Sequence, residues 1–397
     1  MIPVEPLMTI QVEDTAVGLA GFVVIHTLGE SGAGGGIRCA PDITLEEVKR
    51  LAHAMTCKYT FFGLRYGGGK GGLIMDDDVP TQKRKEIIRH MGRHLRLVLQ
   101  TGAYSAWTDM NFGPADMAAL YEGAAVSTGW DPPRPSARRT ALSTFAAVVS
   151  MAESLGLAPR DCRVSIEGFG AVGGALAEEI VAWGGRVVAV SNVFGAVYHP
   201  QGLPVAELLA CRGKVGPQFI LHPGSWRNAP REHLFEVEAD ILVPCARVGS
   251  VTGRIAQSLR VQAVVPAANV PCTEEAERTL AVRRIPLLPD FVVNAGGVLG
   301  MMDGAEGRSF FLGEFKQMID RLIRSALADS MPPIAVARET ANEKYASRKE
   351  TFFERPTVAQ RILDAMRARG LFPDNRPRRL RQARQRVRDL VRKSYSA

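Results

Sequence analysis
Apolar and polar residues alternate at period two in GLAGFVVIHTL, beginning at Gly18, and this predicts a β-strand. The spacing changes to that of a helix in TLEEVKRLAHAMTCKYTFF. Thr44 reads as its N-cap and Glu47, three residues on, completes a capping box. KEIIRHMGRHLRLVLQ and ADMAALYEGAAVS also read as helices. Three prolines crowd into four positions of STGWDPPRPSARR and oppose regular structure, which places a domain boundary near residue 135. Beyond it, helix TALSTFAAVVSMAESLG leads to strand RVSIEGF, a glycine turn, a helix and strand RVVAVSN. ILVPC, AVVPAAN and IPLLPDF read as further strands, and from Phe315 onward the pattern is helical. Strands that are apolar throughout and alternate with helices predict a parallel sheet covered on both faces.

Composition narrows the class. A chain of 397 residues with 46% hydrophobic and 23% charged residues fits a globular protein of two domains. No apolar run has the length of a membrane span, and the N-terminus has neither the basic patch nor the apolar core of a signal peptide. The six cysteines (39, 57, 162, 211, 245, 272) follow no CxxC or histidine spacing, and read as reduced thiols of a cytoplasmic protein without a metal site. The net charge of +8 is concentrated at one end: residues 374–397 hold nine basic and two acidic residues, leaving the remainder at +1. The bland reading of this tail, a solvated terminal helix packing on its own or a neighbouring subunit, is preferred to nucleic-acid binding.

Two features carry chemistry. In GGGKGG, five glycines surround Lys70, which lets a bound molecule approach the backbone and leaves the ammonium partly desolvated. Desolvation lowers a lysine's pKa toward the range useful for acid–base work. The pattern is not a phosphate-binding loop, because Gly71 stands where a Ser or Thr is needed. The second feature is Gly168-Phe-Gly170-Ala171-Val172-Gly173, with a strand before it, a helix after it and a second strand some twenty residues on. This is the context of a dinucleotide fingerprint. The first glycine permits the turn, the second admits the pyrophosphate and the third packs helix on strand. The second strand ends in Ser191-Asn192 rather than an acid. Asn192 can hydrogen-bond a ribose hydroxyl without repelling a 2′-phosphate, so NAD and NADP both remain open, with a lean to NAD because no arginine follows at once.

In order along the chain, GGIRCAPDITLEEVKRLAHAMTCK, GGGKGGLIMDD, TDMNFGPADM, GFGAVG, RVVAVSNVFGAVYHPQGL, DILVPCA, PAANVPCTEEAE and PDFVVNAGGV resemble the glutamate/leucine/phenylalanine/valine dehydrogenases. The resemblance implies a two-domain α/β fold: a substrate domain over 1–135 completed by helices from about 311–373, a Rossmann-type domain over 136–310, a cleft between them and the tail over 374–397. It implies reversible NAD(P)-dependent oxidative deamination of an L-amino acid to a 2-oxo acid and ammonia, in a homo-oligomer without membrane attachment. Under it Lys70 activates water and polarises the imine carbon, Asp109 shuttles protons to and from the amino group, and Lys58 holds the α-carboxylate. Thr140 and Asn294 would lie near the nicotinamide and Asn269 near the cofactor ribose. Taken alone, Lys58 reads as a solvated helix lysine and Asp109 as the N-cap of PADMAAL.

Departures from the family pattern bear on the substrate. Glutamate dehydrogenases place a lysine for the side-chain carboxylate where this chain has Gly34, and a serine where it has Met301. An unpaired buried carboxylate costs several kcal/mol, about a thousandfold in discrimination, which argues against glutamate. The same comparison lines the side-chain pocket with Gly34, Trp107, Val298 and Met301, an apolar set. Trp107 could shrink that pocket, stack on an aromatic substrate or turn into the core. The family's DVGT becomes Asp109-Met110-Asn111-Phe112, its EGANGP becomes PAANVP, and the helix from Thr140 lacks the usual glycine. An unusual substrate of secondary metabolism, or a non-catalytic NAD-binding partner protein, are the alternatives.

Overall fold
In a computed structural model, residues 1–126, 137–299, 304–348 and four tail positions (385, 388, 389 and 391) are described. The proline-rich boundary, Met301 and nearly all of the basic tail lie outside them. The chain divides into two compact units, changing from one to the other at 134–135, 339–340 and 381–382.

The first unit is a five-stranded mixed sheet in the order β1-β2-β4-β3-β5, built from β1 (Met8–Asp14), β2 (Leu19–Ile25), β3 (Ala33–Cys39), β4 (Gly67–Leu73) and β5 (Tyr104–Thr108). β3 runs parallel to β4 and β5, while β2 is antiparallel to β1 and β4. Alternation sorts the side chains onto two faces. Val23, Ile25, Ala33, Ile37 and Tyr104 share one core with helices α2 (Thr81–His94) and α4 (Pro114–Gly123). Val24 turns the other way and packs with Val48 and Ala52 of α1 (Leu45–Phe61).

That second arrangement explains the glycines around Lys70. A Cβ on Gly68 would lie 2.3 Å from Ala52 O, and one on Gly72 would lie 2.7 Å from Val48 Cγ2. On the opposite face, Gly69 and Gly71 lie against Tyr104 and Ile37. The glycines therefore seat α1 on the strand, rather than chiefly opening the backbone to a bound molecule as the sequence suggested. Four of the five strands (β1, β3, β4 and β5) were not foreseen; β3 and β4 are glycine-rich and carry little strand propensity.

The second unit has a six-stranded sheet in the order β11-β10-β6-β7-β8-β9. Its strands are β6 (Arg163–Glu167), β7 (Arg186–Asn192), β8 (Gly195–Tyr198), β9 (Arg227–Ala229), β10 (Ile241–Pro244) and β11 (Ala263–Val264). β11, β10, β6 and β7 are parallel, but β8 and β9 continue antiparallel, so the sheet is mixed rather than wholly parallel. AVVPAAN contributes only two strand residues, and IPLLPDF a single bridge from Leu287 to Val264 before turning into the short helix Asp290–Val293.

Among the described residues after 310 the chain is mostly helical, but its docking differs from the sequence expectation. Helix Lys316–Ala328 belongs with the second unit, where Ser150 Oγ of α5 (Ala137–Ser154) donates to Lys316 O. Only from 340 does the chain join the first unit, where Lys344 Nζ donates to Phe61 O at 2.8 Å. In the tail, Val391 is buried, and Arg388 lies 3.9 Å from both Glu306 and Glu314. Among the described residues no helix is long and apolar enough to cross a membrane, and no cluster of three or more His, Cys, Asp or Glu could hold a metal ion.

Candidate active site
The site in the first unit is built by strand register. β3 pairs with β5 so that Gly36 faces Trp107 and Ile37 faces Thr108, and with β4 so that Ile37 faces Gly71. Lys70, Arg38 and Asp109 therefore converge on the sheet face covered by α1. Lys70 is 3% exposed, and its ammonium forms an ion pair with Asp109 Oδ2. Arg38 Nε donates to the same oxygen at 3.3 Å, while its Nη1 donates to Glu47 at 3.1 Å. Asp109 Oδ1 accepts from the Met110 N–H at 2.8 Å. Burial lowers the Lys70 pKa, Arg38 adds to this and Asp109 only partly opposes it. Burial alone would raise the Asp109 carboxyl, but Lys70 and Arg38 outweigh it and hold it well below the ordinary range.

The bland readings of these residues do not hold. Lys58 is 4% exposed in the last turn of α1 and is not a solvated lysine. Asp109 caps nothing, because α4 begins at Gly113 with Asp116 closing its capping box. The Thr44 half of the α1 cap is present, with Thr44 Oγ1 accepting from Glu47 N–H, but the Glu47 carboxylate pairs with Arg38.

Trp107 is half-buried and packs edge-on against Tyr66 and Tyr59, with ring centroids 5.4 and 6.0 Å away. Its indole covers Gly34: a Cβ there would meet Trp107 Cη2 at 3.0 Å and Tyr59 Oη at 3.2 Å. The Tyr59 hydroxyl, wholly buried, has no hydrogen-bond partner among the described residues. Sequence reasoning missed Arg38, Glu47, Tyr59 and Tyr66. The signal for Arg38 lay inside the GGIR motif, but its partner is 71 residues away.

In the second unit the glycine fingerprint has the geometry of a phosphate cradle. Gly168 has φ +92°, and the N–H groups of Gly168 and Phe169 donate to Ser191 O, at 3.0 and 2.8 Å. A Cβ on Gly173 would sit 2.0 Å from Gly168 O, so only glycine lets α6 (Ala171–Trp183) start this close to β6. Among the described residues, a Cβ on Gly170 meets nothing within 4 Å and no side chain caps the α6 N-terminus above Ala171 and Val172. Open space over free helix N–H groups suits an anion. Ser191 Oγ is buried without a hydrogen-bond partner among the described residues, a further polar group suited to a dinucleotide. Asn192, in contrast, uses its side chain locally, donating to Pro217 O at 2.6 Å and accepting from Phe194 N–H at 2.8 Å.

Asn294 and Asn269 are brought together by an Nδ2–Oδ1 hydrogen bond of 2.8 Å. Thr140 stands in the first turn of α5, its carbonyl accepting from Ser143 and Thr144. Val298 ends the short turn Ala295–Gly297 and is half-buried. Two departures from the family pattern replace glycine yet keep a glycine-like backbone: Asn111 at φ +52° and Val270 at φ +50°. For a β-branched valine that conformation costs of order 1–3 kcal/mol, and the Val270 N–H is held by Asp290 Oδ2 at 2.8 Å. These groups fit a dinucleotide. Gly170→Val should leave the fold intact, at a helix-cap cost of about 1 kcal/mol, while weakening NADH binding about tenfold or more. Fluorescence titration and thermal melting separate the two effects, and undiminished affinity would exclude the cradle.

Residues 134–370 match the profile of Glutamate/Leucine/Phenylalanine/Valine dehydrogenase, and residues 6–125 that of the Glu/Leu/Phe/Val dehydrogenase dimerisation domain. The chain belongs to the Glu/Leu/Phe/Val dehydrogenase family. It is an amino acid dehydrogenase, an oxidoreductase acting on CH–NH2 with NAD or NADP. Glutamate dehydrogenase of Thermotoga maritima is 30% identical over 381 residues, covering 89% of this chain and 87% of that one. The NAD-specific glutamate dehydrogenase of Staphylococcus aureus is 31% identical over 320 residues, 74% of this chain and 75% of its own. The hetero-hexameric glutamate dehydrogenase of Thermus thermophilus, in a leucine-bound form, superposes with a TM-score of 0.72 at 26% identity, covering 85% of this chain and 89% of that one.

Proposed function
We propose that this family member oxidatively deaminates an L-amino acid with an apolar side chain, not glutamate, with NAD as the preferred cofactor and in a homo-oligomer. The ion pair of buried Lys70 with half-buried Asp109 on the α1 face carries the reading. Oxidation of an amine and hydrolysis of the resulting imine need one group that gives and takes protons at the amine, and another that does so at water. Asp109 and Lys70 are in direct contact and fill these two roles. Lys58 would clamp the α-carboxylate by a charge-assisted bond. The dinucleotide, when bound, supplies the hydride acceptor. Gly168, Gly170 and Gly173 with the α6 N-terminus would hold its phosphates, Ser191 and Asn192 its adenosine end, and Asn269, Asn294 and Thr140 its nicotinamide half.

The choice of side chain rests on Trp107. Its indole closes over Gly34, where a lysine would have to stand to meet a γ-carboxylate. The partners Tyr59 and Tyr66 are aromatic, so this wall offers no cation. The relatives named glutamate dehydrogenase favour glutamate as a second reading. A panel of alanine, valine, leucine, phenylalanine, tryptophan and glutamate, each with NAD+ and NADP+, decides by absorbance of the reduced nicotinamide. The apolar members are expected to be turned over preferentially and with NAD+. No turnover with any amino acid or 2-oxo acid would defeat the assignment, and best turnover with glutamate would defeat the substrate claim alone.

A further inference from the structure
Asp109 is held by two cations at one oxygen. Lys70 is one, and Arg38, 4% exposed, is the other. The far end of Arg38 is fixed by Glu47, so β3, β4, the residue just after β5 and α1 each contribute one charge to a neutral group of four. A lysine that exchanges its proton during turnover alternates between ammonium and amine. In a buried site, each passage through the amine would leave the partner carboxylate without a counter-ion, at a cost of several kcal/mol. A guanidinium keeps its charge throughout the working pH range.

We infer that Arg38 is a positioning residue, the permanent counter-ion that keeps Asp109 ionised and in place while Lys70 changes its protonation state. This rests on the assignment of Lys70 and Asp109 to proton transfer. Arg38 acts through Asp109, and Glu47 orients it so that Nε faces the carboxylate oxygen shared with Lys70. The other titratable groups on the elements around Lys70 include Glu46, Lys49, Arg50, His53, Cys57, Lys58 and Tyr59 of α1, Cys39 of β3 and His26 just after β2. Tyr104 of β5 lies on the opposite sheet face, its hydroxyl donating to Gly35 O at 2.8 Å. Arg38 is hydrogen-bonded both to Asp109 and to the Glu47 carboxylate on α1.

The arrangement has a signature with opposite signs. Arg38 repels the Lys70 ammonium and Glu47 attracts it. Arg38→Gln should therefore raise the pH at which Lys70 becomes an amine, by about one unit or more. Glu47→Gln should lower it, and Arg38→Lys should hold it near the wild-type value. The full-length protein without substrate is labelled with limiting acetic anhydride across a pH series, and Lys70 acetylation is read by peptide mass spectrometry against the exposed Lys83. Circular dichroism reports folding of each variant. Opposite displacements of the Lys70 midpoint in Arg38→Gln and Glu47→Gln support the inference. An unmoved midpoint in folded Arg38→Gln overturns it. If Arg38→Gln does not fold, an unmoved midpoint in Glu47→Gln overturns it equally. Labelling needs no turnover, so an enzyme inactive on every amino acid would refute the proposed function while leaving this test readable.

Discussion

Lys70→Ala is expected to lower amino-acid-dependent formation of reduced nicotinamide by about a thousandfold or more and to leave cofactor binding unchanged. The ammonium is 3% exposed and ion-paired to Asp109, so no solvent lysine can take its place. Fold and chemistry separate well at this position. With the lysine gone, the Asp109 carboxylate still accepts from Arg38 at 3.3 Å and from the Met110 N–H at 2.8 Å. It is therefore not left as an orphaned buried charge, the circumstance that makes broken ion pairs strongly destabilising. Lys70→Arg should be almost as inactive, because it restores the cation without a proton that can be released near neutral pH. Steady-state rates with the best amino acid of the panel, beside NADH titration and melting curves, check all three statements. Retention of more than about a tenth of the wild-type rate by Lys70→Ala would remove Lys70 from the chemistry.

Local features of the second unit were legible from sequence because they are set by neighbours. Gly168, Gly170 and Gly173 lie within six residues, and strand, turn and helix follow one another without long-range help. The first unit was legible in its residues but not in its architecture. Lys70 and Asp109 stood out by type and family resemblance, whereas the strand that carries Lys70 is glycine-rich and the one that precedes Asp109 is only five residues long. Which face Lys70 shares follows from the order β4-β3-β5, and sheet order is not local information. Arg38 illustrates the limit. It sat inside a motif already noticed, and only the pairing of β3 with β5 brings it to Asp109. Glu47 misled in a different way: its spacing from Thr44 is that of a helix cap, yet the carboxylate serves the charged group. Helical spacing after Phe315 likewise fixed helices but not the unit on which each one packs.

Glutamate should be discriminated against by about a thousandfold or more in kcat/KM relative to the preferred apolar amino acid, and the discrimination should be traceable to Gly34 and Trp107. A γ-carboxylate brought to Gly34 meets an indole and a phenol, since the three atoms nearest that position belong to Trp107 and Tyr59. Gly34→Lys alone should be poorly tolerated, since its Cβ would already lie 3.0 Å from Trp107 Cη2 and 3.2 Å from Cζ2. Trp107→Ala removes that obstruction and should widen the accepted side-chain range at a loss of a few kcal/mol in stability, as an aromatic truncation in a packed cluster costs. The combination Gly34→Lys with Trp107→Ala supplies a cation and the room for it. It should raise kcat/KM for glutamate about a hundredfold over the parent while lowering it for leucine or phenylalanine, because a buried ammonium without a partner penalises an apolar side chain. The sign of the change matters more than its size. A double variant that loses glutamate and apolar turnover alike would locate the side-chain pocket elsewhere, and a parent enzyme that prefers glutamate would show that Trp107 leaves Gly34 during turnover.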